Sequence, residues 1–148
     1  MLKLPPPVWA LLYIVIAAAT SALYPWRALI DLRVLWLGIL LVIGGFALAI
    51  SAATLFRRKG TEVNPTSESN KLLVTTGPFR FTRNPMYLGL STFTLGIALC
   101  VGSLPMFFVP LLVFATVSLS HIPFEEAKMR RQFGPGFDAY IRRVRRWI

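Results

Sequence analysis

The chain is poor in the side chains on which most enzymatic machinery is built. Its 148 residues include one histidine, one cysteine and six acidic residues. A lone Cys100 excludes an internal disulfide and a cysteine-ligated metal, and reads as packing inside an apolar run. So few carboxylates and a single imidazole support neither a metal site nor a nucleophilic triad, and no glycine-rich phosphate loop is present. Charge is also missing over long stretches. None occurs from Val8 to Tyr24 or from Val34 to Phe56, and from Asn84 to Phe124 the only ionisable side chains are Tyr87, Cys100 and His121.

What is abundant is apolar. Hydrophobic residues make up 55% of the chain, and the mean hydropathy of +0.63 is too high for an ordinary soluble domain. A helix rises about 1.5 Å per residue through a hydrocarbon core about 30 Å thick, so roughly 20 residues cross once. The first two charge-free runs are one crossing each. The third is about twice that length, and Val101-Gly102-Ser103-Leu104-Pro105 at its middle is a turn signal followed by a proline suited to a new helix. The expected fold is therefore a single-domain, all-α integral membrane protein. Its four transmembrane helices fall at about 8–24, 34–56, 85–102 and 104–122, with a loop at 57–84 and an amphipathic tail at 123–148.

Of 16 basic residues, fourteen fall in the N-terminus, the 57–84 loop and the tail, against Arg27 and Arg33 on the other side. The positive-inside rule then places both termini and the long loop in the cytoplasm. The same distribution accounts for the net charge of +10 through topology and anionic lipid, with no nucleic-acid partner. Pro5-Pro6-Pro7, Trp9 and Tyr13, where a signal peptide would carry a basic region and a leucine-rich centre, favour a retained first span.

Smaller features fit this frame. Trp9, Tyr24, Trp26 and Trp36 cluster near span ends as interfacial anchors. The second span carries a small-residue face that includes Gly38, Gly44, Gly45, Ala49 and Ala52, suited to internal packing or to a homodimer contact. Asn84-Pro85 reads as an N-cap with proline at the first helical position. In the tail, Met129, Phe133, Phe137, Tyr140, Ile141, Val144 and Trp147 recur at spacings of three and four, and Gly134-Pro135-Gly136 divides the stretch into two short helices. Such a segment lies on the membrane surface or closes over the bundle.

The polar residues near the cytoplasmic face form a small constellation: Arg80, Arg83, Asn84, Tyr87, His121, Glu125 and Glu126. His121 and Glu125 are four apart and share a helical face if Pro123 does not break the turn. A plainer account also stands, with His121 an interfacial residue and the two glutamates favouring a helix start through the dipole.

The run Leu73-Val74-Thr75-Thr76-Gly77-Pro78-Phe79-Arg80, then Arg83-Asn84-Pro85-Met86-Tyr87-Leu88-Gly89, then Glu125-Glu126, Phe133-Gly134, Phe137, Tyr140, Val144 and Arg146-Trp147 resembles the isoprenylcysteine carboxyl methyltransferase family. It is similar also to the related membrane phospholipid methyltransferases. The resemblance covers 61–148, and the first two spans carry no motif. It implies an integral membrane enzyme that moves a methyl group from S-adenosylmethionine to a lipophilic acceptor reaching it from the bilayer. It also implies cofactor binding by Lys71, Leu72, Leu73, Val74, Gly77, Phe79, Asn84, Pro85, Met86, Tyr87 and Glu125, with His121, Glu125 and Arg83 at the chemistry and no metal. Two positions depart from the pattern: Asn84 replaces a histidine, and His121 replaces an arginine assigned to the substrate carboxylate.

Methyl transfer from a sulfonium mainly requires alignment and exclusion of water. A carboxylate acceptor, as in an isoprenylcysteine-like substrate, needs no base. A phospholipid amine or another amphiphile would need one, and His121, Glu125 and Glu126 are the candidates. Outside enzymes, four short spans with a small-residue face suit a carrier or a structural membrane subunit, although no span holds the deep carboxylate a carrier would use. The topology has a direct test. Cysteines placed at Ser67 and at the C-terminus are expected to label only from the cytoplasmic side, and labelling of Ser67→Cys from outside would refute the four-span arrangement.

Overall fold

The computed structural model describes residues 4–26, 30–58 and 72–148. Lys71 and Ser67 lie outside the described residues. The apolar runs are helical: α1 spans Pro6–Leu23, α2 Leu35–Arg58, α3 Pro85–Val101 and α4 Leu104–Thr116. A π-helical turn at Val117–His121 leads into α5, Ile122–Phe133, and α6 follows at Pro135–Arg143. Three helical stretches are long and apolar enough to cross a membrane, Pro6–Leu23, Leu35–Arg58 and Leu104–Phe133, and Pro85–Val101 is a shorter apolar one. This is an all-α membrane protein.

Local chemistry sets the helix ends. Pro5, at φ −62°, is already extended into the position from which α1 starts. Gly102 closes α3 in the left-handed region at φ +73°, where a Cβ would also lie 2.6 Å from Arg33. Pro105 sits in the first turn of α4, and Gly134, at φ +48°, separates α5 from α6. Asn84 differs from the expected N-cap, because it makes no side-chain capping bond and instead donates its amide to the Arg146 carbonyl at 2.9 Å. Pro85 still occupies the first turn.

Pro123 does not end the last apolar helix. A proline lacks the N–H that would bond four residues back, so an α-helix there needs a local adjustment. The π turn supplies it: the Ile122 N–H reaches back five residues to the Val117 carbonyl, just ahead of the proline. Helix continues to Phe133, and His121 and Glu125 stay on adjoining turns.

Inside a bilayer water does not drive helices together, so close packing and interhelical hydrogen bonds carry the association. The broadest contact is α2 on α3. A Cβ on Gly45 would lie 2.5 Å from the Phe93 nitrogen and 2.6 Å from the Gly89 carbonyl, and Gly38 meets Gly96 and Cys100 equally closely. Gly38, Gly45 and Ala49 of the small-residue face thus pack within the chain, whereas a Cβ on Gly44 would meet nothing within 4 Å. Opposite it, α1 packs on α4 around Ala10, Ala17, Ala98, Met106, Val109 and Val113. Two hydrogen bonds pin this pair, Tyr13 to Thr116 and Ser21 to Ser103, each at 2.8 Å.

The tail closes over the bundle. Phe137, Tyr140 and Val144 are buried with Leu73, Met129, Phe133 and Ile141 around them, and Trp147 stacks on Phe114 at 4.5 Å between ring centroids.

Gly45→Ala should force α2 and α3 apart, costing about 1 to 3 kcal/mol by overpacking, while Gly44→Ala, which meets nothing within 4 Å, should be neutral or stabilising. Thermal inactivation in detergent reads the difference, and equal behaviour of the two variants would contradict this packing.

Candidate functional site

A cavity of about 580 Å³ lies where the two helix pairs, the 72–84 segment and the tail meet. Pro5, Pro6 and Pro7 at the start of α1 form one wall, and Phe46, Ala49, Ile50, Ala53 and Phe56 of α2 form another. Leu72, Leu73, Val74 and Phe79 close the third, and Met129, Phe137 and Tyr140 close the fourth. The polar groups are concentrated on one side, in Arg83, Asn84, Tyr87, Glu125, Glu126 and Lys128. An apolar chamber with a few convergent polar groups is the usual form of a small-molecule site.

Each polar group is held from a different element. Tyr87, in the first turn of α3, donates its hydroxyl to Glu125 Oε1 on α5. Glu126, one residue on, is held by two arginines instead. It accepts Arg146 through Nε at 3.2 Å and Nη2 at 2.5 Å, and Arg83 Nη2 at 3.2 Å. One carboxylate thus serves two guanidiniums. Arg83 is the more buried of the two, with its side chain 11% exposed, and its Nε and Nη1 find no hydrogen-bond partner among the described residues. Charge-assisted pairs of this kind are strong where water is excluded, and the same exclusion makes the loss of one partner costly.

The 72–84 segment is shaped by its own turns and by the tail. Gly77, at φ +62°, opens a 3-10 turn over Gly77–Arg80 that turns Phe79 inward against Phe56, with ring centroids 4.9 Å apart. Tyr140 donates its hydroxyl to the Phe79 carbonyl at 2.7 Å. Burial pushes the Tyr140 hydroxyl up to about 12, against the opposing pull of Arg83, so it stays a donor at any physiological pH. The Arg146 carbonyl accepts Thr82 Oγ1 at 3.1 Å as well as the Asn84 amide, and the Arg145 carbonyl accepts the Arg83 N–H at 3.0 Å.

The cavity gathers Leu72, Leu73, Val74, Phe79, Arg83, Asn84, Pro85, Met86, Tyr87 and Glu125 from the residues expected at the site. Gly77 does not line it and acts through the turn. His121 does not line it either. The ring is 1% exposed and sits behind Tyr87 at a centroid distance of 6.4 Å, with Nε2 3.2 Å from the Leu4 carbonyl and Nδ1 3.1 Å from Ser120 Oγ. Sequence reasoning missed Pro5, Pro6 and Pro7, the α2 face at Phe46, Ala49, Ile50 and Ala53, and Lys128. Met129 was visible only as part of an amphipathic period, and Phe137 and Tyr140 as part of that period and of the family blocks, with no assigned place at the site.

The fold and this chamber define a helical membrane protein with a partly polar internal site beside the bilayer. A model of the phospholipid methyltransferase family matches residues 34–136. The chain belongs to that family, whose reach includes the isoprenylcysteine carboxyl methyltransferase-like proteins it resembles. The match takes in all of α2, which carries none of the motif blocks. No match to a curated protein or to a solved structure was found.

Removing Glu126 should leave Arg83 and Arg146 facing each other uncompensated. Glu126→Ala is expected to lose about 2 to 4 kcal/mol, read as faster thermal inactivation, and to free the C-terminal residues to protease. Unchanged stability and protection would show that the carboxylate does not tie the tail down.

Proposed function

We propose that this protein is an S-adenosylmethionine-dependent methyltransferase that acts on a lipophilic acceptor at the cytoplasmic membrane face, with a carboxylate of an isoprenylcysteine-like amphiphile as the methylated group. The observation that carries the reading is the position of the cavity. Its polar side includes Tyr87, Glu125 and Arg83, and its apolar side includes Phe46 and Ile50 of α2, both of which are also exposed on the outer surface. Phe46 and Ile50 line the cavity and also an outer apolar groove with Val42, Ile43, Ala47 and Phe93. A hydrocarbon chain can lie in that groove while its head group remains among the polar residues.

The residues present suit the cofactor. The chamber volume falls within the roughly 300–1,000 Å³ of ordinary ligand sites. Glu125 offers an acceptor for the cofactor's amino and hydroxyl groups, Arg83 and Lys128 offer positive charge for its carboxylate, and Phe79, Met86 and Phe137 offer apolar surface for the base. Bound there, S-adenosylmethionine supplies a methyl group on a sulfonium, and a carboxylate acceptor takes it with no proton to move. The chain's own part is to hold, align and dry the site.

The carboxylate reading gains support from His121, whose two nitrogens are engaged within the protein and which does not reach the cavity. The second reading, a phospholipid amine, is favoured by the family match and by the two glutamates in the wall, either of which could accept a proton.

Solubilised protein titrated with S-adenosylmethionine tests the cofactor. Glu125→Gln should weaken binding by roughly ten- to a hundred-fold, the equivalent of a charge-assisted hydrogen bond, while the protein stays folded. No binding in several lipids would refute the proposal. Radiolabelled cofactor offered with prenylcysteine analogues, fatty acids and phosphatidylethanolamine then separates the acceptors: methyl ester formation supports the first reading, and N-methylation the second.

A further inference from the structure

Among the described residues, the single histidine has a partner that a proton-transfer role does not explain. His121 Nε2 lies 3.2 Å from the backbone carbonyl of Leu4, 117 residues away in sequence. A carbonyl only accepts, so Nε2 carries the proton and donates it. Leu4 immediately precedes Pro5, Pro6 and Pro7, and these three prolines form the α1 wall of the cavity. We propose that His121 is a positioning residue that anchors the Leu4–Pro7 strap as a wall of the acceptor end of the cavity.

Four observations support this assignment. First, the strap is stiff. Each proline fixes φ near about −65°, Pro5 is extended at φ −62° and ψ 147°, and the Pro5 carbonyl accepts the Val8 N–H at 2.9 Å. Holding one carbonyl of such a segment orients all of it. Second, three successive prolines offer no N–H groups to a neighbour, so a hydrogen bond that holds the strap must run to one of its carbonyls. Third, the ring is confined. It is 1% exposed, with Ser120 Oγ beside Nδ1 and the Tyr87 ring edge-on at 61°. Fourth, the chain of contact runs on into the site, since Tyr87 donates to Glu125. Strap, His121, Tyr87 and Glu125 therefore form one connected row from the apolar wall to the polar side.

The strap lines the same cavity as Phe46, Ala49 and Ile50 of α2, and Phe46 and Ile50 also line the outer apolar groove. Releasing it would widen the chamber on the acceptor side and leave the Glu125 side in place. That assignment to the acceptor rests on the methyltransferase reading, whereas the anchor itself does not.

Two measurements on the full chain test the two parts separately. Because His121 is the one histidine, ¹⁵N-histidine labelling gives a single imidazole spectrum that needs no assignment. The expected spectrum has a proton on Nε2 in slow exchange, and the Val8 amide, the first N–H after the prolines, should exchange faster in His121→Leu but not in His121→Gln. A neutral ring protonated on Nδ1 alone, or a Val8 amide indifferent to His121→Leu, would overturn the anchor whether or not the protein transfers methyl groups. The second measurement is kinetic, with whichever acceptor the radiolabel screen yields. His121→Leu should raise the acceptor KM by about tenfold or more with cofactor affinity little changed, and His121→Gln, whose amide can donate from a similar position, should recover to within about threefold of the parent. A Gln variant as impaired as Leu, or a loss confined to kcat, would show that the ring is needed for chemistry and that the positioning role is wrong.

Discussion

The backbone carbonyls of Arg145 and Arg146 are the points on which the polar side of the cavity depends. Between the 3-10 turn and Pro85 the chain makes a sharp entry into α3, and the donors of Thr82, Arg83 and Asn84 are not all satisfied within that turn. A donor left bare near hydrocarbon costs several kcal/mol. The tail supplies the missing acceptors, taking the Thr82 hydroxyl and the Asn84 amide on one carbonyl and the Arg83 N–H on the other. This pairing sets where Arg83 and Asn84 stand in the wall. It also explains why the tail folds over the bundle: α6 must bring residues 144–147 back to the turn, and Tyr140 donates to the Phe79 carbonyl on the way.

The helices were legible because a bilayer leaves few options. A charge-free run of suitable length can only be a helix that satisfies its own backbone, and Gly102-Ser103-Leu104-Pro105 is a turn on composition alone. The small-residue face was legible as a contact but not as a particular contact, since glycine records close approach without naming the neighbour. Half of the site was legible through the ordered motif blocks around Phe79, Tyr87 and Glu125. The other half was not, for a physical reason. Several of the ties that build it join residues about sixty or more apart and run to main-chain carbonyls, which every residue carries. Nothing in the side chains of Arg145 and Arg146 announces that their carbonyls are spoken for. His121 is the clearest instance. Its spacing to Glu125 correctly placed both on one side of the helix, yet its partner is the Leu4 carbonyl, which no pattern of residue types could reveal.

Electrostatics at the site follow from scarcity. With only two glutamates on α5, each has a separate assignment, Glu125 to Tyr87 and Glu126 to two arginines. A lone buried guanidinium beside the cavity would be expensive, and a lone carboxylate equally so. Glu126 offsets Arg83 and Arg146 together, which leaves the local charge positive and three of the Arg83 N–H groups without acceptors among the described residues. The wall therefore favours an anionic group over a cationic one on that side, and it does so without any metal-like concentration of charge.

These ties matter because of what drives association in a membrane. Lipid tails are as apolar as leucine, so burial does little to press helices together, and a chamber between helices would collapse or gape unless its walls were fixed by specific bonds. Here the α2 wall is fixed by its close glycine packing on α3, and the others by such bonds. Tyr13 and Ser21 tie α1 to α4, His121 ties the start of α1 to the last long helix, Tyr87 ties α3 to α5, and the tail carbonyls tie the loop to the C-terminus. Chemistry that relies on alignment needs reacting atoms held at about 3 to 3.5 Å, and a displacement of even about 1 Å is felt. The polar residues beside the cavity are accordingly engaged chiefly as struts between elements.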